Sequence, residues 1–157
     1  MDWQKLFLSP EGRIGRQEFW MGWAILLVAG FVLGLVPVLG QIIGLLLIYP
    51  NVCVYSKRLH DMGKTAWLQL IPYAVFLLSM IVGVFAIGWG AVLGAFTGAE
   101  SAAGIGALAG LGLFGLLMAL SGLVALGFLI WIGATPGEPG QNRFGPPRGR
   151  STAEVFS

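Results

Sequence analysis

FWMGWAILLVAGFVLGLVPVLGQIIGLLLIYPNVCVYS, from Phe19 to Ser56, runs for 38 positions without a lysine, arginine, aspartate or glutamate. As a single helix rising 1.5 Å per residue it would form a rod of about 57 Å, nearly twice the roughly 30 Å hydrocarbon core of a bilayer. Two crossings joined by a hairpin fit that length. The reversal belongs near Val36-Pro37-Val38-Leu39-Gly40-Gln41, where Pro37 interrupts the helical ladder and Gly40 permits a tight turn.

Two more uncharged stretches follow, Thr65 to Ala99 and Ser101 to Gly137, and every lysine and arginine lies outside the three. The chain has 157 residues, 57% of them hydrophobic and 10% charged, with a mean hydropathy of +0.84. That leaves too little polar surface to coat a soluble globule, whereas lipid needs no such coat. The expected fold is all-α, a polytopic membrane four-helix bundle with spans near 19–36, 39–56, 67–96 and 103–132. Residues 1–18 form an interfacial segment before the first span, which reads as an uncleaved anchor because its apolar run begins late and no small-residue cleavage pattern follows. Residues 136–157 form a tail, disordered after about 148.

Charge sets the orientation. The basic residues are Lys5, Arg13 and Arg16, then Lys57, Arg58 and Lys64, then Arg143, Arg148 and Arg150. With four spans all nine face one compartment, while three spans would divide them three against six. By the positive-inside tendency that compartment is the cytoplasm, which holds both termini. Glu100 falls in the outer loop, because a carboxylate at mid-membrane costs on the order of 3 kcal/mol. Trp20, Tyr55, Trp67 and Trp131 fall at the cytoplasmic boundary, where amphipathic rings are favoured. The net charge of +2 is a mild excess beside membrane spans, so the expected partners are the bilayer and its anionic head groups, with no nucleic acid.

Glycines at four-residue spacing, Gly30/Gly34, Gly40/Gly44, Gly90/Gly94/Gly98 and Gly106/Gly110, let helices approach closely. With 25 glycines, roughly four such pairs arise by chance, so the pattern points to tight packing within one bundle before self-association. Pro50 removes a backbone bond within the second span and bends it. Cys53 stands alone among apolar neighbours, which rules out an internal disulfide and makes inert packing the simplest role.

The polar chemistry is confined to Gly12-Arg13-Ile14-Gly15-Arg16-Gln17-Glu18-Phe19-Trp20, to Lys57-Arg58-Leu59-His60-Asp61-Met62-Gly63-Lys64-Thr65-Ala66-Trp67, and to Gly140-Gln141-Asn142-Arg143-Phe144-Gly145-Pro146-Pro147. Here the chain resembles the DUF805 family of small bacterial inner-membrane proteins, whose members show a GRIGR-x-EFW-like start, an RRLHD-x-G-x-SGW-like hinge and a G-x-N-x-[FY]G-x-x-P-like tail. Lys57 stands where the family usually has arginine, and Thr65-Ala66 where it usually has Ser-Gly. The resemblance implies a multi-pass inner-membrane protein of uncharacterised activity and carries over no catalytic residue.

Arg13, Arg16, Glu18, Lys57, Arg58, His60, Asp61 and Asn142 are the candidate site residues, as a structural polar layer or an anion site. If the second helix continues one turn past Ser56, Asp61 lies i+3 from Arg58 and i+4 from Lys57 and pairs locally, and Gly63 ends the helix. Asn142 turns the tail back onto this layer. His60 next to Asp61 invites an acid/base reading, yet adjacent helical residues point about 100° apart. Metal-dependent HD-type hydrolases need further His and Asp ligands, and the chain has one histidine. No catalytic residue, cofactor or metal is therefore expected. The leading expectation is a non-enzymatic scaffold or partner-binding membrane component that engages a membrane-protein partner or a second copy. A transporter or channel subunit is the alternative, with only Gln41, Gln69, Ser79 and Ser121 to line a path. Anionic lipid or phosphate binding at the cytoplasmic face is a further one.

Overall fold

The computed structural model describes residues 3–36, 38–96 and 100–146, with the side chains of Leu39 and residues 100–103 left aside. Its helices are α1 (Trp3–Leu8), α2 (Arg16–Gly34), α3 (Leu39–Asp61), α4 (Leu70–Phe96) and α5 (Glu100–Ala134), with a 3₁₀ turn at Ala66–Gln69 before α4. The described residues contain no strand. Four stretches are long and apolar enough to cross a membrane: Arg16–Gly34, Gly40–Asp61, Ala66–Phe96 and Gly104–Ala134. Much of their surface is bare hydrocarbon, as at Phe31, Leu45 and Phe85. Water would penalise such a surface, and lipid does not.

Helix ends fall differently from the sequence expectation in informative places. α2 starts at Arg16, so Arg16 and Glu18 belong to its opening turn. α3 runs past Ser56 to Asp61, which makes the whole Lys57 to Asp61 run helical. Its end is a Schellman cap: Gly63 has φ +67°, its amide donates to the His60 carbonyl, and the Lys64 amide reaches the Leu59 carbonyl at 2.9 Å. α3 continues through Pro50 as one helix. At the other end of α3, the Gly40 amide donates to the Val36 carbonyl at 2.7 Å, and a Cβ on Gly40 would lie 2.8 Å from the Leu33 carbonyl oxygen. Glu100, expected in the outer loop, is instead the first residue of α5, which begins three residues before the expected span; Pro37 itself, residues 97–99 and the tail from Pro147 lie outside the described residues, and the expected disorder after 148 with them.

The chain divides into two compact units. One comprises residues 1–69 with 130–157, the other Leu70–Leu129. In the first, α1, α2 and α3 surround a core of Leu6, Phe19, Leu26, Cys53, Val54 and Leu59, joined by Ile132 from the last turns of α5. Gly22 brings α2 within 3.4 Å, at the position of a Cβ, of both Leu6 and Val54. The Phe19 ring meets Tyr55 edge-on at 5.4 Å. In the second unit α4 and α5 pack backbone to backbone: a Cβ on Gly90 would strike the Gly106 carbonyl, and one on Gly106 the Gly90 carbonyl. The Phe114 ring fills the space left by Gly83.

Candidate functional site

A helix leaves its last carbonyls without intrahelical donors, and in lipid or at its edge little water is there to meet them. In the first unit those carbonyls are met by cations. Arg58 is 0% exposed; its Nε donates to the Ile132 carbonyl at 2.8 Å, and its guanidinium also reaches the carbonyls of Thr135 and Ile14. Arg16 donates to the Ala134 carbonyl at 3.3 Å. Two arginines therefore cap the carboxyl end of α5, where the helix dipole favours positive charge. Lys57, 4% exposed, does the same for α1 by donating to the carbonyls of Lys5 and Leu6. The Tyr49 hydroxyl takes the Leu8 carbonyl at 2.9 Å.

Asp61 neutralises the centre of this arrangement. Its carboxylate accepts from Arg58 Nη1 at 2.5 Å and from Arg13 Nε at 3.2 Å, and the residue is 6% exposed. Arg13 then spreads its remaining donors over the chain end: the carbonyls of Asp61, Glu138, Gly140 at 2.7 Å and Gly145 at 3.4 Å. The fork of a guanidinium can serve so many acceptors at fixed angles, which a lysine could not.

The tail closes the assembly. The Glu138 amide donates to the Asp61 carbonyl at 2.8 Å. Asn142 Nδ2 donates to the His60 carbonyl at 3.0 Å and to Glu138 Oε2 at 2.8 Å, while Asn142 and Gly145 pair their backbones in a tight turn. The Phe144 ring lies flat on His60 with centroids 3.8 Å apart. No space is left for side chains at the glycines between: a Cβ on Gly137 would enter the Asp61 carboxylate, and one on Gly63 the Glu138 carboxylate.

Of the eight candidate residues, Arg13, Arg16, Arg58, His60, Asp61 and Asn142 join in this one clasp. Lys57 and Glu18 lie beside it, lining a cavity under α1. Sequence reasoning missed Glu138, Phe144 and the carbonyl acceptors of Ile132, Thr135 and Ala134, since a carbonyl has no signature in sequence. Glu138 had one readable signal, a lone carboxylate among the glycines and proline of Gly137-Glu138-Pro139-Gly140. His60 Nδ1 and Gln69 Oε1 are buried without a hydrogen-bond partner. No group of three or more His, Cys, Asp or Glu suited to a metal ion occurs among the described residues.

The model of DUF805, described as a protein of unknown function, matches residues 7–146, from α1 through the Asn142 turn. The chain belongs to the DUF805 family. It is similar to the inner membrane protein YhaH of Escherichia coli (strain K12), with 32% identity over 101 residues that cover 54% of this chain and 84% of that relative. The YhaH protein of Escherichia coli O157:H7 matches to the same extent. No solved structure matches. With its four apolar helices, this DUF805 protein is a multi-pass membrane protein.

Proposed function

We propose that the protein is a non-enzymatic component of the bacterial inner membrane, a scaffold or partner-binding protein with both chain ends in the cytoplasm. The observation that carries this reading is where the cations go: Arg58 and Arg13 direct their donors at carbonyls and Asp61. Charges committed in this way hold helix ends and a tail together, and do not reach toward a substrate. An enzyme would need a nucleophile, base or electrophile set toward a reacting atom.

The polar groups within the spans favour the same reading over transport. The Ser121 hydroxyl donates to the Met118 carbonyl at 2.9 Å, within its own helix, and Gln69 Nε2 donates to Ser56 at 3.1 Å. Transport pathways present such groups to a cavity instead. Location in the inner membrane is supported by the YhaH relatives, and cytoplasmic ends by the basic residues gathered at the clasp.

Crosslinking of the full chain in native membranes, followed by mild solubilisation and mass spectrometry, tests the role. A defined membrane-protein partner, or a second copy in fixed ratio, is the expected result. A chain recovered alone under every mild condition, together with robust solute uptake into liposomes, would overturn it.

A further inference from the structure

Three of the last four carbonyls of α1 are taken by side chains of α3. Lys57 donates to those of Lys5 and Leu6, and the Tyr49 hydroxyl donates to that of Leu8. A short helix that ends in water has no such need, because water meets its last carbonyls. A helix end in lipid has only the protein to supply donors.

The position of α1 along its neighbours agrees. Lys57 and Tyr49 stand four and twelve positions before Asp61, the last residue of α3, which is about 6 and 18 Å back from that end at 1.5 Å per residue. Leu6 packs at Gly22 of α2 and Val54 of α3. Gly22 is six positions past the first residue of α2, and Val54 is seven before the last of α3. Both rulers put Leu6 about 9–10 Å inward from the helix ends that carry the clasp. A head-group layer is only roughly 5–8 Å thick.

The outward face of α1 suits that depth. Trp3 and Leu8 are exposed, and Trp3 stacks on Phe7 one turn further on, with centroids 6.2 Å apart. From Leu8 the apolar surface continues through Tyr49 to Leu45 and Leu46, exposed on the same face of α3. Lys5, the charged residue of α1, has a long apolar stem that carries its ammonium back toward the head groups. After Leu8 the chain turns back to the clasp: the Glu11 amide donates to the Ser9 hydroxyl at 3.3 Å, and the Ile14 amide to the Lys57 carbonyl at 3.4 Å.

We propose that α1 is a short re-entrant helix seated in the leaflet on the clasp side, with Trp3, Phe7 and Leu8 in contact with the upper acyl chains of that leaflet's lipids. It is a fifth membrane element that enters without crossing. Its occupant is lipid because the face lies at lipid depth and is continuous with the lipid-facing surface of α3. The proposal is independent of the docking role above and holds whichever compartment the clasp faces.

The test uses the full chain in proteoliposomes, in a Cys53→Ser background, with a nitroxide label at Trp3→Cys or Leu8→Cys. Leu45→Cys serves as the lipid reference and Gly140→Cys as the water reference. Collisions with oxygen, which concentrates in hydrocarbon, are compared with those of a nickel chelate confined to water. At Trp3→Cys and Leu8→Cys oxygen should exceed the chelate by about threefold or more, as at Leu45→Cys and opposite to Gly140→Cys. Dominance of the chelate at either position would overturn the proposal, and so would shielding from both reagents, the sign of a second copy on this face. Unlabelled protein gives a second reading that does not depend on any cysteine variant folding. The emission lost in Trp3→Phe should be quenched by lipids brominated near the head-group end of their acyl chains and spared by acrylamide, and the reverse would overturn the proposal as well.

Discussion

Arg58 holds a full positive charge where none of its surface meets solvent, a position that is tolerable only because Asp61 and three backbone carbonyls answer it. Removing one partner of such a pair costs about 3–5 kcal/mol, because the other is left buried and uncompensated. Arg58→Ala is therefore expected to lower the melting temperature in detergent sharply, and Arg58→Lys to recover only part of it, since an ammonium cannot reach the acceptors of a fork. The double variant Arg58→Ala/Asp61→Ala should lose less than the sum of the single variants, and strict additivity would refute the coupling. Gly63→Ala should be costly as well, through a left-handed backbone worth about 1 kcal/mol and a methyl group driven at Glu138. The i,i+3 spacing of Arg58 and Asp61 was legible in the sequence, as was Gly63 as a helix end. Arg13 was legible only as a member of the polar layer, not by its partners, because its acceptors stand 48 to 132 positions away and most are carbonyls.

Among the elements, α1 shows most clearly what a sequence hides. Six residues are too few to hold a helix alone; α1 exists because Leu6 packs at Gly22 and Val54 and Lys57 takes its carbonyls. Lys57→Met should speed amide hydrogen exchange across Trp3–Leu8 while α2 keeps its protection, and unchanged exchange would refute the capping role. The glycines of α4 and α5 divide in a way that spacing could not foretell. Gly90 and Gly106 press backbone on backbone, and Gly110 does so on Ile87, while nothing stands within 4 Å of Gly112 or Gly115. Gly106→Val should accordingly open the α4–α5 pair and cut folded yield. Gly112→Ala should be neutral or stabilising by up to about 1 kcal/mol, the helix-propensity difference.

For the whole molecule, four long apolar helices were legible from charge-free lengths alone, because lipid imposes so plain a constraint on composition. In a Cys53→Ser background, Ser9→Cys and Gly140→Cys should both be labelled by a membrane-impermeant thiol reagent only from the cytoplasmic side; labelling of the two from opposite sides would refute an even number of crossings. The tie between Arg13 and the carbonyls of Glu138, Gly140 and Gly145 also sets a rule for biosynthesis. Arg13 leaves the ribosome early, and its acceptors emerge more than a hundred residues later. Until the last span has been threaded, the growing chain carries this guanidinium without its tail carbonyls. A product cut short before Thr135 would keep all four hydrophobic segments nearly whole yet lack the acceptors beyond them, and such a product is a ready target for membrane proteases.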